Sequence, residues 1–353
     1  MDSFLNDIAS ILQHPYVAFI ILIALVFDFV NGFHDAANSI ATIVGTRVLR
    51  PSQAVVWAAF WNFIALWVFG FHVANTVAKW VHLEYVNQDV IFSGLVGAII
   101  WNLITWYCGL PSSSSHALLG GVCGAAIGQA ASFTGVLYMD NVMKTVKFIV
   151  IAPMIGLALG VVFITILLWI LRLTTPRKVD RLFRFVQLGS AALYSMGHGT
   201  NDAQKTMGII AVLLYTSVWQ DQQSAFTAGK VEFPFWIALI CFLTISAGTM
   251  AGGWRIVKTM GMKITKLKPH GGACAETAAA ITLFASTKLG IPVSTTHTIT
   301  GAIIGVGSVQ RLSAVRWGVA RSVIIAWVLT IPAAALMGAL CVVATGWIRS
   351  VAN

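Results

Sequence analysis

Two short polar clusters stand where polar residues are least expected. Asn31-Gly32-Phe33-His34-Asp35-Ala36-Ala37-Asn38-Ser39 lies in the middle of the apolar segment 16–48, and His198-Gly199-Thr200-Asn201-Asp202-Ala203-Gln204-Lys205-Thr206 lies in the middle of the apolar segment 185–219. Aligning Gly32 with Gly199 places Asp35 on Asp202 and Ala36 on Ala203. A carboxylate at membrane depth costs about 2.5–3.5 kcal/mol on insertion scales, so such a group is expected to bind or couple something. Two of them, at matching positions, make a shared site the natural reading.

A second pair of motifs supplies the complementary chemistry. Gly109, Pro111, Ser113, His116, Gly120 and Gly124 recur as Gly290, Pro292, Ser294, His297, Gly301 and Gly305, all at one offset of 181. In each copy a proline stops one helix, and a hydroxyl-rich turn, Ser112–Ser115 or Ser294–Thr296, opens the next. The first turn of such a half-helix offers free backbone N–H groups, hydroxyls and the positive dipole end, which together suit an anion. The bland alternative is an ordinary N-cap at a loop.

Carboxylates beside an anion site make sense if the anion carries its own proton. Phosphate titrates near neutral pH and can donate a hydrogen bond to Asp35 or Asp202; sulfate cannot. The same carboxylates offer oxygen ligands for Na⁺ or a landing place for H⁺. Asn38 and Asn201 add amide groups. Lys205 falls where Asn38 falls in the first copy, so a fixed cation beside Asp202 can stand in for a bound metal cation, which favours H⁺ coupling. Glu276, in a third apolar stretch, joins the expected cation route. Asp28 ranks lower, because its counterpart is Ser195; Lys288 is expected to snorkel. His34, His116, His198 and His297 sit at the four breaks, where local packing is expected rather than a metal site.

Composition sets the surroundings of these residues. Of 353 residues 58% are hydrophobic and 10% charged, with mean hydropathy +0.84. The apolar runs are long and continuous, so the fold class expected is an all-α polytopic membrane protein rather than a barrel. The net charge of +10 does not indicate a nucleic-acid partner, because the basic residues fall in short loops between apolar spans. Five cysteines lie in apolar stretches without pairing or metal spacing. Residues 1–15 contain no Lys or Arg, so no signal peptide is expected there.

The segments 16–48 and 185–219 exceed the roughly 20 residues that span a bilayer, so each is expected to be two half-helices meeting at its polar cluster. Ordinary spans are expected over 54–73, 90–108, 146–171, 233–252, 272–289 and 317–348. The order of elements repeats, giving a first repeat over 1–171, a basic linker over 172–184 and a second repeat over 185–353. If the repeats are inverted with residues 172–184 inside, fifteen of the 22 basic residues fall in cytoplasmic loops and Lys79, Lys144, Lys147, Lys230 and Arg349 fall outside, as the positive-inside rule requires. Both termini then come out external. Inverted repeats with a midplane site are the architecture of many secondary transporters.

Gly-x-x-Asp-Ala-Ala-Asn at 32–38, Gly-Thr-Asn-Asp-Ala at 199–203 and Pro-x-Ser-Thr-Thr-His at 292–297 resemble the inorganic phosphate transporter (PiT) family, over nearly the whole chain. The resemblance implies an inverted-repeat secondary transporter of the bacterial inner membrane that carries phosphate with Na⁺ or H⁺ and no other cofactor. It assigns Asp35, Asn38, Asn201, Asp202, Ser113, Ser114, Ser115, Ser294, Thr295 and Thr296 to the phosphate and cation sites, and Glu276 matches a family glutamate. Two departures, His34 for the family's asparagine and Lys205 for another, resemble the low-affinity bacterial branch associated with proton-coupled uptake of phosphate, also as a neutral metal–phosphate complex. The rival readings are a sulfate permease of the same fold, a passive anion channel, and an intramembrane Ser/His hydrolase. The last is disfavoured because neighbouring Ser115 and His116 point to different faces of a helix.

Overall fold

A computed structural model describes residues 2–68, 70–223, 226 and 233–352; Lys230, one of the basic residues expected outside, lies outside the described residues. Segment 16–48 forms one uninterrupted helix, α2 (Pro15–Gly45), after a short α1 (Asp2–Leu12). Segment 185–219 is likewise continuous within α8 (Pro176–Ser217). The expected division of both segments into half-helices is therefore corrected. Asn and Asp disfavour a helix when their side chains compete for its backbone, and Gly through its backbone entropy, but here polar side chains of the clusters bond to other elements. Both glycines serve close packing. A Cβ on Gly32 would stand 2.2 Å from the Ile245 carbonyl oxygen, and one on Gly199 would stand 2.6 Å from that of Asn62. At 31 residues, α2 is about 46 Å long, which tilt and overhang accommodate in a core of about 30 Å.

The breaks fall one element later. The expected span 54–73 divides into α3 (Pro51–Ile64), a 3₁₀ turn at Ala65–Trp67 and α4 (His72–Val77). Its counterpart divides into α9 (Phe235–Ala251) and α10 (Trp254–Lys258), bent by 60°. The remaining elements are α5 (Gln88–Tyr107), α6 (Ser114–Ala130), α7 (Met139–Ile170), α11 (Pro269–Lys288), α12 (Thr295–Gln310) and α13 (Trp317–Ala352). Among the described residues α2, α5, α7 and α13 are each long and apolar enough to cross a membrane, and α9 with α10 adds a bent fifth. The basic segment 172–184 is a turn only as far as Thr175; from Pro176, which suits the first helical position, it forms the opening turns of α8.

The order α2, α3–α4, α5, α6, α7 recurs as α8, α9–α10, α11, α12, α13. The two turns share one construction. Gly109 (φ +66°) ends α5 and Gly290 (φ +65°) ends α11. Leu110 N–H bonds to Thr105 O at 2.9 Å and Ile291 N–H to Ser286 O at 2.8 Å, the wider bond of a Schellman ending. Ser113 and Ser294 then cap α6 and α12 by accepting from His116 N–H and His297 N–H at 3.3 and 3.2 Å. That geometry explains why the Gly-x-Pro-x-Ser-x-x-His spacing appears twice.

The halves interlock. Gly120, Gly124 and Gly128 of α6 lie against Ile331, Ala335 and Ala339 of α13, while Gly301 and Gly305 of α12 lie against Pro153 and Leu157 of α7. Each helix that follows a turn thus packs, through small residues, on the last helix of the other half. The matching helices α2 and α8 run antiparallel: Thr206 donates to Asp28 at 2.8 Å near one end, and Thr46 donates to Gln187 at 2.8 Å near the other.

Charge is segregated in the same way. Arg184 Nη1 donates to Arg47 O at 3.0 Å, Arg316 N–H donates to Ile264 O at 2.9 Å, and one cavity brings Gly45, Arg177, Lys268 and Gln310 together. All four basic loops therefore share one end of the molecule. At other connections, Asn141 donates to Lys79 O and Arg349 pairs with Asp89 at 2.8 Å.

Candidate functional site

Asp35 on α2 and Asp202 on α8 come together where the antiparallel helices cross. With His198 they place one ligand atom each within 4.8 Å of one another, all buried. This is the one such triad of His, Cys, Asp or Glu among the described residues. It is the arrangement the repeated Asp-Ala pattern implies.

The N-termini of α6 and α12 meet at the same place. The rings of His116 and His297 stack edge to face with centroids 4.6 Å apart, and Ser115 Oγ donates to Val293 O at 3.4 Å. From α12, Thr295 donates to Asp202 Oδ2 at 3.3 Å and Thr296 donates to Asp35 Oδ1 at 3.4 Å. Asn38 Nδ2 donates to Thr296 at 2.8 Å and to Thr295 at 3.3 Å. Each aspartate is thus tied to the hydroxyl turn of the second half.

Lys205, fully buried, fills the gap between α8 and the first turn. Its ammonium group donates to Asp202 Oδ1 at 2.5 Å, to Val293 O at 2.9 Å and to Ser115 Oγ. An ammonium group has three protons, and all three find acceptors. A buried charge is tolerated when paired and hydrogen-bonded in this way.

Ser113 and Ser294 are placed at the turns as expected, but their hydroxyls are occupied as caps. Of the remaining turn hydroxyls, those of Thr295 and Thr296 reach the aspartates and that of Ser115 reaches Lys205. Ser114 Oγ and Asn38 Oδ1 are buried without a hydrogen-bond partner. Asn201 has a different part: its amide donates to Thr287 at 3.2 Å and Ile291 O at 3.4 Å, and accepts from Val293 N–H at 3.3 Å. It holds the extended stretch that precedes the second turn. His34 is its positional counterpart, and its Nε2 contacts Thr105 at 3.1 Å and Ser112 at 3.4 Å beside the first turn. Histidine here does the work of an asparagine, which accounts for that departure from the family pattern. The other ring nitrogen lies 2.8 Å from Asp35 Oδ1.

Glu276 on α11 lies apart from the two aspartates. It accepts from Thr42 at 2.6 Å, Gln187 at 3.0 Å and Ser190 at 2.5 Å. Thr42 is two helical turns beyond Asp35 on the same face of α2. Sequence reasoning missed this shell, as well as Tyr194, whose hydroxyl donates to Thr295 O at 3.2 Å. The available signal was a run of lone polar residues in apolar helices: Thr42, Gln187, Ser190, Tyr194. Asp28 is buried, with Oδ1 on Thr206 and Oδ2 unpartnered. Lys288 is exposed and belongs to no part of the site. Among the described residues the four histidines do not form one ligand cluster; besides His116, His297 stacks on Trp327 with centroids 3.8 Å apart, and His198 reaches Asn62 at 3.3 Å.

The model of the phosphate transporter family matches residues 31–338. A Rhizobium meliloti protein called "probable low-affinity inorganic phosphate transporter" is 55% identical over 94% of this chain and 96% of its own length. A Bacillus subtilis protein of the same description is 42% identical over 91% of this chain and 94% of its own. A solved structure described as "The sodium-dependent phosphate transporter" superposes with a TM-score of 0.79 at 25% identity, covering 96% of this chain and 99% of that one. The family match spans both polar motifs and both hydroxyl turns, so the resemblance read from the motifs stands, and the chain is a multi-pass membrane protein and not an enzyme: it belongs to the phosphate transporter family.

Proposed function

We propose that this protein imports inorganic phosphate, free or as a neutral metal–phosphate complex, by symport with a cation, H⁺ being favoured over Na⁺. The observation that carries the reading is the convergence of two capped helix N-termini on a buried pair of aspartates. The N-termini and the hydroxyls of Ser114, Ser115, Thr295 and Thr296 favour the anion. Asp35 and Asp202 accept from its protonated oxygen, which sulfate lacks. Asn38 supplies an amide between the two, while Ser113, Ser294 and Asn201 hold the turns in shape.

The preference for H⁺ follows from Lys205. Its ammonium neutralises Asp202 in the half where a Na⁺ would otherwise do so, and leaves Asp35 as the acid free to take a proton. The Asp35–His198–Asp202 triad supports the second reading, Na⁺ coupling, and the relative described as sodium-dependent fits it too. We place the repeats in inverted orientation, with the shared basic end at the cytoplasmic face of the inner membrane and both termini external. The antiparallel pairing of α2 with α8 and the collection of basic loops at one end support that placement.

Proteoliposomes test the reading. Radiolabelled phosphate should accumulate against its gradient and resist competition by excess sulfate. Strong competition by sulfate would indicate a sulfate permease, and passive flux indifferent to any cation gradient would indicate a channel.

A further inference from the structure

One large cavity lies away from the aspartates. It lies at the basic end, has a volume of about 1060 Å³, and is lined by Arg47, Arg172, Arg177, Arg181, Arg184 and Lys268. The one acidic residue lining it, Asp180, pairs with Arg184 at 3.2 Å. Among the described residues no acidic partner faces Arg47, Arg177, Arg181 or Lys268, all of them exposed. A cavity at the upper limit of the range of about 300–1,000 Å³ that encloses drug-sized ligands is far too large for one orthophosphate. Its cations are spread around the rim rather than focused on one point.

The other wall is apolar. Leu167, Leu168 and Leu171, at the end of α7, line it. The neighbouring side chains Ile166, Trp169 and Ile170 are 51%, 66% and 60% exposed, so this end of α7 faces lipid. Trp169, with the Arg172 guanidinium 5.3 Å from its ring centroid, marks the level of the membrane–water boundary. A soluble polyanion has no use for a wall of leucines that continues into the acyl layer. We propose that this cavity holds the headgroup of an anionic phospholipid, with its phosphate among the arginines and its first acyl carbons on the leucines. Basic pockets between helices at a membrane boundary suit such headgroups.

The site is connected to the transport machinery without being part of it. Thr46 lines the cavity floor and donates to Gln187, which in turn donates to Glu276. A headgroup seated there steadies the end of α2 against α8 and α11. The proposal does not rest on phosphate being the substrate.

Native mass spectrometry of the full chain tests it, after exchange into nanodiscs holding equal phosphatidylglycerol and phosphatidylcholine. The protein should retain phosphatidylglycerol selectively. Arg177→Gln with Arg181→Gln should lower that retention by roughly tenfold or more, as expected for removing two basic residues at an anionic surface. Lys268→Gln, on a different element, should lower it as well, and keeps the test informative if the double variant does not fold. Phosphate uptake in pure phosphatidylcholine should be the same for all. Equal retention by protein and variants overturns the proposal. So does saturable binding of soluble pyrophosphate that the double variant loses while showing no lipid preference.

Discussion

Lys205 Nζ stands 2.5 Å from Asp202 Oδ1, one turn away on the same helix, whereas the equivalent pair of the first repeat, Asn38 and Asp35, reaches instead to Thr296. The two halves therefore use matching carboxylates in unlike electrostatic settings. Breaking one partner of a buried pair typically costs about 3–5 kcal/mol, so Lys205→Met should lower thermal stability and abolish uptake. Lys205→Asn restores the residue of the first repeat and frees Asp202 for a metal cation. Its uptake should return only when Na⁺ is present, measured at constant pH with Na⁺ replaced by choline.

Asp35→Asn and Asp202→Asn keep shape and remove charge. A hydrogen bond to a charged group contributes about 1.5–3 kcal/mol, so uptake should fall by at least roughly tenfold in each. For Asp35→Asn, protein in the membrane should be undiminished, as judged by quantitative immunoblot alongside radiolabelled uptake; Asp202→Asn leaves the Lys205 ammonium without its carboxylate and should also lower thermal stability, as Lys205→Met does. Normal uptake in both variants would remove the aspartates from the site.

Glu276 accepts three hydrogen bonds from two other helices. In Glu276→Ala the donors on Thr42 and Gln187 lose their acceptor, each at about 1–3 kcal/mol, while Ser190 keeps only Gln187 O. The melting temperature in detergent should fall steeply. Glu276→Gln keeps one acceptor oxygen and should fold while losing cation-driven accumulation; full accumulation by that variant would exclude Glu276 from coupling.

Gly32 and Gly199 test the continuity of the two motif helices. If they are packing residues in unbroken helices, Gly32→Ala and Gly199→Ala drive a methyl into a facing backbone carbonyl. Overpacking of this kind costs about 1–3 kcal/mol. Gly189, on the same α8, has nothing within 4 Å of its would-be Cβ, and Gly189→Ala should be neutral or stabilising by up to about 1 kcal/mol. Thermal shifts of the three variants in one detergent decide the matter.

The proximity of Asp35 to Asp202 was legible in the sequence, because an acidic group in an apolar run is costly and a duplicated one is costly twice, which points to a shared place in the fold. The turns were legible too: Gly109, Pro111 and Ser113 each have a stereochemical job, and their repetition at 290, 292 and 294 fixed the second turn. The continuity of α2 and α8 was not legible, since a Gly-Asn-Asp cluster reads as a break unless its tertiary partners are known. The Lys205 contacts with Ser115 and Val293, and the Gln187 contact with Glu276, join residues about ninety positions apart, and Thr42 stands 234 positions from Glu276. No local pattern encodes them. The place of His34 is equally non-local: only its bonds to Thr105 and Ser112 show it bracing a turn.

On the proposed mechanism Lys205 holds the place of a metal cation and leaves a proton as the coupling ion. Purified protein in liposomes, given a pH gradient or a Na⁺ gradient separately at fixed membrane potential, measures this directly. Inward proton flow alone, acidic outside and without Na⁺, should drive phosphate accumulation, and the Na⁺ gradient alone should not. Accumulation that follows Na⁺ and ignores the pH gradient would contradict it.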